Sequence, residues 1–302
     1  MYRALRPWLV LLVAVSCTGE RAPGNDTASP EGSPPDGTPR TARTSTWNRA
    51  AGAMFAVRSG TGTIAWLVNP AYGDAQALDT LTAVAWNVEG AQLSMIDGAK
   101  VVGTGRISGL RYDSTCAGWP TASIVMETGT ATEWRLAFPE GSVEGATFDS
   151  LPILSAADSA ARARAGALAA SRLPDDTVAA FRGRPFIVRQ ASRFSIDADT
   201  VGTVFEVVRL VPQEANPLQE QILIITEEGS SRPAATAFHE REIGAEESTG
   251  SIELLGVLRV RSSGRLALLV RREREAGFVL EWIERSRDGT WVVRWRSATD
   301  SC

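Results

Sequence analysis

The sequence predicts a mainly β protein of the α+β class, in which antiparallel meanders form two halves joined by one alanine-rich helix. Three observations support this prediction. Short windows alternate apolar and polar residues, turn-forming Gly, Pro, Asn and Asp separate the windows, and residues 154–174 alone have extended helical character. Because neighbouring windows are joined by short turns, we expect them to pair antiparallel.

The strand windows fall on both sides of the helical segment. In the first half they are MFAVRS, TIAWLV, LTAVAWNV, AQLSMI, KVVGTG, ASIVMET and EWRLAF. In the second half they are RPFIVRQASRFSI, TVFEVVRLV, EQILIIT, ATAFHERE, SIELLGVLRV, RLALLVRR, GFVLEWIER and TWVVRWRS. We therefore expect a β-rich subdomain at residues 48–153 and a second subdomain, containing the helix, at residues 154–302.

The segment LSAADSAARARAGALAASRLP is predicted to form a helix after Ser155 that ends before Pro174. Ser155 and Asp158 have the spacing of a capping box, and proline cannot continue a helix. A face of small and apolar residues is expected to pack on a sheet, and two arginines are expected to point to solvent. These are Ala157, Ala161, Ala165 and Leu168 on the packed face, and Arg162 and Arg164 on the other.

The last two windows are predicted to form a hairpin with Asp288 and Gly289 as a two-residue type I′ turn. Counting outward gives the register Arg287–Thr290, Ser286–Trp291, Glu284–Val293 and Trp282–Trp295. This register places six apolar residues on one face, which favours core packing over a sugar or aromatic platform. They are Phe278, Leu280, Trp282, Trp291, Val293 and Trp295.

Residues 1–17, MYRALRPWLVLLVAVSC, have the pattern of an export signal. Arg3 and Arg6 supply the positive region, and an apolar run follows them. The run is shorter than the ~20 residues that span a bilayer, so a permanent transmembrane helix is not expected. One interpretation is an ordinary signal peptide cleaved near Ala14 or Ser16.

The stretch AVSC, residues 14–17, resembles the lipobox of bacterial lipoproteins, with Ala14 where that family usually has Leu. The resemblance implies that residues 1–16 are the signal peptide and that Cys17 becomes a lipid-bearing N-terminus that anchors the protein in a membrane. Inner-membrane lipoproteins typically have Asp at the position of Thr18. The resemblance therefore implies an outer membrane lipoprotein that faces the periplasm or the cell surface.

Residues 17–47 are expected to be the lipidated cysteine followed by a disordered linker. The segment is rich in Pro, Gly, Ser and Thr, and flexible-chain statistics give it a reach of ~30 Å. Removing residues 1–16 takes away two arginines and no acid, which leaves 29 basic and 35 acidic residues. An exported, acidic chain is not expected to bind nucleic acid.

The stretch ELLGVLRVRSSGRLALLVRREREAGFVLEW is similar to a repeat of the FG-GAP or VCBS type, in which an acidic loop between two strands holds calcium. At the acidic positions this chain has Arg259, Arg261 and Ser263, and only Gly264 is retained. Calcium needs oxygen ligands, and the arginines would repel it. The resemblance thus implies the strand frame without the metal, and we expect no metal or cofactor.

No catalytic motif is complete in the sequence. GTGRISG, residues 103–109, has Ser108 at the third glycine position of a dinucleotide fingerprint, so we expect a glycine-bearing hairpin turn there. His239 is the one histidine, which excludes two-histidine metal sites. It adjoins Glu240 and Glu242, which share one side of an extended strand and could supply an acid and a base. A solvated strand edge accounts for the same residues.

Cys116 and Cys302 remain once Cys17 is assigned to lipid. Exported proteins meet an oxidising compartment, so we predict a disulfide between them. The alternative is that Cys302 is frayed at the terminus and Cys116 is merely buried.

Three functional classes remain after these observations. The first is an envelope-anchored lipoprotein that binds another envelope component or a small ligand without catalysis. The second is an envelope hydrolase with an acid/base site near Glu240 and Glu242. The third is a structural or assembly role.

Overall fold

The computed structural model describes residues 55–59, 62–68, 88–111, 121–150, 154–174, 178–212, 217–275 and 277–297. All of them fall within one compact unit, Ala42–Cys302. Within the described residues the fold is mainly β, with antiparallel sheets and one α-helix, which confirms the predicted fold class. No helix in this part of the chain is long and apolar enough to cross a membrane.

Apart from the short β7 and β8, the described strands overlap the predicted windows. They are β1 (Phe55–Ser59), β2 (Ile64–Val68), β3 (Gln92–Asp97), β4 (Lys100–Arg111), β5 (Thr121–Thr128), β6 (Leu136–Pro139), β7 (Val143–Gly145), β8 (Phe148–Ser150), β9 (Ile187–Ser195), β10 (Thr200–Val211), β11 (Leu218–Gly229), β12 (Arg232–Ala245), β13 (Ile252–Val260), β14 (Leu266–Arg274), β15 (Gly277–Arg285) and β16 (Trp291–Arg296). Helix α1 spans Ala156–Ser171, and a 3₁₀ turn spans Ala179–Phe181.

These strands form a closed barrel and two open sheets. The barrel has the order β1-β2-β5-β4-β3-β6. The middle sheet has the order β16-β15-β14-β13-β7, and the outer sheet has the order β12-β11-β10-β9-β8. Short β7 and β8 precede residue 153, yet they pair with β13 and β9, so the first half of the chain supplies an edge strand to each sheet of the second.

Three hydrophobic cores join the elements into layers. The barrel and one face of the middle sheet share the first core, in which Phe55 lies 5.6 Å from Phe138 and 6.0 Å from Trp282 between ring centroids. The middle and outer sheets enclose the second core, and α1 covers the far face of the outer sheet. Each fully buried leucine or phenylalanine stabilises such a stack by ~1.5–3 kcal/mol.

The glycine-rich stretch at residues 103–109 lies inside strand β4, so the predicted hairpin turn is wrong. Gly103 and Gly105 allow close approach of the neighbouring strand: a Cβ on Gly103 would lie 2.4 Å from the Thr128 carbonyl oxygen. The register of β4 against β5 also shifts twice. Glycines and bulges let a strand bend, which closes the barrel.

Helix α1 begins and ends where the sequence predicts. The Ser155 hydroxyl caps the helix by accepting a hydrogen bond from the Asp158 backbone N–H at 3.2 Å, and it donates to the Asp158 carboxylate at 2.7 Å. The helix ends at Ser171, three residues before Pro174.

The predicted packing face of α1 is wrong, because the helix presents its opposite side to the outer sheet. Gly166 and Ala170 are buried there, and a Cβ on Gly166 would lie 2.6 Å from the Phe205 ring, so glycine allows this close contact. Arg162 points inward and forms an ion pair with Asp149. The predicted packing residues are instead exposed; they are Ala157, Ala161, Ala165 and Leu168.

The final hairpin differs from its predicted register because its loop has three residues. Ser286 pairs with Thr290, and Gly289 donates to the Ser286 carbonyl at 3.1 Å with φ of 88°. A type I turn followed by left-handed glycine is a common three-residue hairpin loop. The observed pairs are Arg285–Trp291, Glu284–Val292, Ile283–Val293 and Trp282–Trp295. Of the predicted pairs, only Trp282–Trp295 is confirmed.

A bulge at Arg294 divides the tryptophans between the two faces of the middle sheet. A one-residue shift moves side chains to the other face of a sheet. Trp282 and Trp295 therefore face the barrel, whereas Trp291 packs toward the outer sheet with its ring centroid 6.0 Å from that of Phe194. The prediction of one shared face is wrong for Trp291 and Val293, while the predicted core role is confirmed, since all three tryptophans are buried.

Several predictions lie outside the described residues. They concern the signal peptide, the linker, the window LTAVAWNV except Val88, and the three cysteines Cys17, Cys116 and Cys302.

Candidate functional site

The space between the middle and outer sheets changes from apolar to charged partway along the strands. On β14, the same face carries Leu268 and Val270 and then Arg272 and Arg274. We call the charged part of this interface the polar seam. It comprises Glu206, Gln219, Gln221, Glu240, Glu242, Arg272, Arg274, Glu281 and Arg296.

Two arginines and two glutamates form the centre of the seam. Arg272 and Glu281 are each about 1 % exposed, and their closest N–O distance is 2.8 Å. Arg296 bridges outward, with contacts of 2.8 Å to Glu281 and 2.5 Å to Glu240. Glu240 also accepts from Arg272 at 3.1 Å. Charges buried in this way need partners, because an unpaired one would cost several kcal/mol.

Glu206 lies beside this centre on strand β10 and is 2 % exposed. Its Oε1 accepts from the Gln221 side chain at 2.9 Å and from the Ile252 backbone N–H at 3.2 Å. Its Oε2 has no hydrogen-bond partner among the described residues. Burial raises the pKa of the Glu206 carboxyl, and the hydrogen bonds and the charges of Arg189 and Arg272 offset that rise only in part.

A small cleft opens beside Glu206. It has room for about one water molecule, and its lining residues are Gln190, Ser192, Val204, Glu206, Ile252, Leu254 and Val270. A carboxyl group with a raised pKa can keep its proton and donate a hydrogen bond into such a space. The cleft is too small to enclose an organic substrate.

The predicted acid/base candidates lie on β12, the edge strand of the outer sheet. The predicted alternation is confirmed: Glu240 and Glu242 face the middle sheet, while Arg241 contacts Glu220 on the helix side. Glu242 pairs with Arg274 at 2.6 Å. His239 is exposed. The strand therefore brings the two carboxylates together, but arginines already contact both of them.

The loop at residues 259–264, which the sequence resemblance compared with a calcium loop, is a turn between β13 and β14. The Arg259 guanidinium donates to the carbonyls of Gly264 and Ile196, at 3.1 and 2.8 Å. Gly264 has φ of 67°, which suits glycine at a turn. Within the described ranges, no group of three His, Cys, Asp or Glu residues could hold a metal ion.

Two further ion pairs, each with a buried glutamate, were not predicted from the sequence. Arg209 pairs with Glu220 beneath the segment 178–186, and its guanidinium lies over the Phe186 ring at 4.6 Å. Glu227 accepts from Arg285 and from the Trp291 indole N–H, both at 2.7 Å. Burial opposes ionisation of Glu227, but these donors prevail and lower the pKa of its carboxyl.

A sequence signal for the seam was present in single charged residues inside apolar strands. Glu206 interrupts TVFEVV, and Glu281 interrupts FVLEW. Strands buried on both faces are almost wholly apolar, so a carboxylate inside one predicts a buried partner. The partner's identity is not encoded locally, because Arg272 and Glu240 are separated by 32 positions.

Comparison with known proteins found no significant match. No protein-family model matches this chain, and no curated protein or solved structure matches it significantly.

Proposed function

We propose that this protein is an exported, lipid-anchored component of the cell envelope that binds another envelope component or a small ligand without catalysis. The lipobox-like residues before Cys17 and the Pro- and Gly-rich stretch after it support an anchor and a tether. In this proposal, the mature protein is attached to the outer membrane and faces the periplasm or the cell surface.

The observation that supports a noncatalytic role is that arginines contact both candidate carboxylates, Glu240 and Glu242. Both oxygens of Glu240 contact arginines, at 2.5 Å to Arg296 and 3.1 Å to Arg272. Glu242 contacts Arg274. A general acid or base must reach a substrate proton within hydrogen-bond distance. Here arginines occupy that position, so the seam serves better to hold the sheets together than to carry out acid/base chemistry.

The proposed binding role is tested by in-cell crosslinking followed by purification from envelope fractions. Cells would express either the wild-type chain or Cys17→Ala, which carries the same folded unit without the anchor. We expect one envelope component to be recovered in constant ratio with the wild type and at much lower yield with Cys17→Ala, because tethering raises its local concentration.

The hydrolase alternative is tested by a separate assay on isolated envelopes. Purified wild-type protein would be incubated with isolated envelopes, beside Glu242→Gln, which leaves the Glu240 contacts with arginine intact. If the wild type releases envelope fragments and Glu242→Gln does not, the noncatalytic proposal is overturned.

A further inference from the structure

The outermost layer of the fold, on the far side of the outer sheet, is made of α1 and the segment 178–186. We call it the helical layer. Helix α1 packs on β9, β10 and β11, and the rings of Phe181 and Phe186 lie 5.5 and 4.6 Å from the Arg209 guanidinium on β10. The helix and the segment thus cover the same face of the outer sheet, and their exposed side chains point away from it.

Four exposed arginines lie in this layer: Arg164, Arg172, Arg182 and Arg184. None of them has an ion-pair partner in the described part of the chain. Arg162, on the inner side of the same helix, pairs with Asp149. The polar seam likewise neutralises its arginines. The helical layer is therefore a place where guanidinium groups are left available to an outside partner.

The exposed face of α1 combines these charges with apolar area. At about 100° per residue, Arg164, Leu168 and Arg172 lie within roughly 80° of arc. Leu168 is 52 % exposed. Small residues complete this face; they are Ala157, Ala161 and Ala165.

The charge of this layer opposes that of the remaining chain. Residues 156–186 contain five arginines and three aspartates, of which Asp175 and Asp176 lie outside the described residues. Their net charge is +2, whereas the rest of the chain from Cys17 onward has 24 basic and 32 acidic residues. An acidic protein with one basic face is oriented by an anionic surface, because that surface repels the other faces.

We propose that the helical layer docks on the anionic lipid headgroups of the membrane that holds the anchor. Guanidinium groups bind phosphate oxygens through paired hydrogen bonds, and Leu168 can enter the boundary between headgroups and acyl chains. A tether with a reach of ~30 Å holds the folded unit near that membrane. This inference rests on the lipid anchor of the proposed function, and it adds a defined orientation at the membrane.

The test measures vesicle binding without the lipid anchor. The chain from residue 17 onward, carrying Cys17→Ala, would be sedimented with vesicles of phosphatidylglycerol and phosphatidylethanolamine, or of phosphatidylcholine alone. We expect binding to the anionic vesicles only, and we expect added salt to weaken it. The double variant Arg164→Gln/Arg172→Gln should weaken binding about fivefold for each arginine removed.

A matched control removes the same charge elsewhere. Arg261 and Arg287 are exposed residues in turns of the middle sheet, and Arg261→Gln/Arg287→Gln should bind like the unsubstituted chain. Equal binding to both kinds of vesicle, no binding to either, or equal loss in the control variant would overturn the proposal. Binding to polyglutamate without binding to vesicles would overturn it in favour of an acidic protein. Failure of lipidation at Cys17 would show in fatty-acid labelling and leave this assay unchanged.

Discussion

Glu206 places a carboxyl group inside the stack of sheets, where ionisation costs free energy. Burial raises the pKa of Glu206 above its ordinary value of 4.5. Between that value and the raised pKa, the folded state holds a proton that the unfolded state has lost. The free energy of unfolding therefore decreases as the pH rises through this window.

We predict that Glu206→Gln makes the protein more stable than the wild type at neutral pH, by a margin that shrinks as the pH falls toward 4.5. Glutamine keeps an oxygen that accepts from Gln221 and Ile252 and carries no charge. Urea unfolding at a series of pH values measures the margin. Glu247→Gln, at an exposed position, is the control and should not change the profile. A margin independent of pH would contradict the assignment.

Glu227 has the opposite behaviour, because Arg285 and Trp291 donate to it and its pKa is lowered. The contribution of the Glu227 carboxylate to the free energy of unfolding is complete above its ordinary pKa of 4.5. It is lost as the pH falls through the lowered pKa. We predict that Glu227→Gln lowers the free energy of unfolding by about 2 kcal/mol at neutral pH. In acid, the difference from the wild type should diminish.

The neighbouring Glu228 provides a control for this prediction. Its side chain is 57 % exposed, and its nearest contact with Arg193 is 3.8 Å. Glu228→Gln should change the free energy of unfolding by less than about 0.5 kcal/mol. Equal effects of the two substitutions in urea unfolding would show that burial does not strengthen the Glu227 interactions.

Strand β4 offers a matched pair of glycines for testing how the barrel closes. A Cβ on Gly103 would lie 2.4 Å from the Thr128 carbonyl oxygen, whereas a Cβ on Gly109 would meet nothing within 4 Å. We predict that Gly103→Ala costs about 1–3 kcal/mol, as overpacking does. Gly109→Ala should be neutral within about 0.5 kcal/mol. Thermal unfolding of the two variants checks this, and equal melting temperatures would contradict the described packing.

The strand windows were predictable because alternation and turn residues act locally. β7 and β8 were missed, since each has only three residues and no alternation can be recognised over so short a length. The register of the last hairpin failed for another reason. Its loop takes one residue more than the Asp288-Gly289 signal predicts, and the bulge at Arg294 compensates further along. Bulges depend on neighbouring sheets, which a single strand does not encode.

The packed face of α1 likewise could not be predicted from the sequence. Its alanines are compatible with close packing on either side, and the structure uses Gly166 and Ala170 instead. The polar seam depends on contacts that span distant strands, such as Arg296 with Glu240, which are 56 positions apart. The sequence could indicate that Glu240 and Glu242 share a side, but it could not indicate which arginines meet them.

We predict that a disulfide between Cys116 and Cys302 connects residue 302 to the first half of the chain. An oxidised bridge would close a loop of 186 positions and could stabilise the fold by up to ~5 kcal/mol. We expect mass spectrometry of oxidatively purified, nonreduced protein to find the two residues in one linked peptide. Alkylation of both thiols without reduction would refute the pairing.

The proposed lipid anchor would decide where the folded layers work and whether they are held at a membrane. Its most direct measurement is metabolic labelling with a radioactive fatty acid, followed by separation of membranes from soluble material. We predict that the wild-type chain carries the label and sediments with membranes, while Cys17→Ala carries no label and is released. If Cys17→Ala still takes up the label and partitions with membranes, the assignment of Cys17 as the anchor is contradicted.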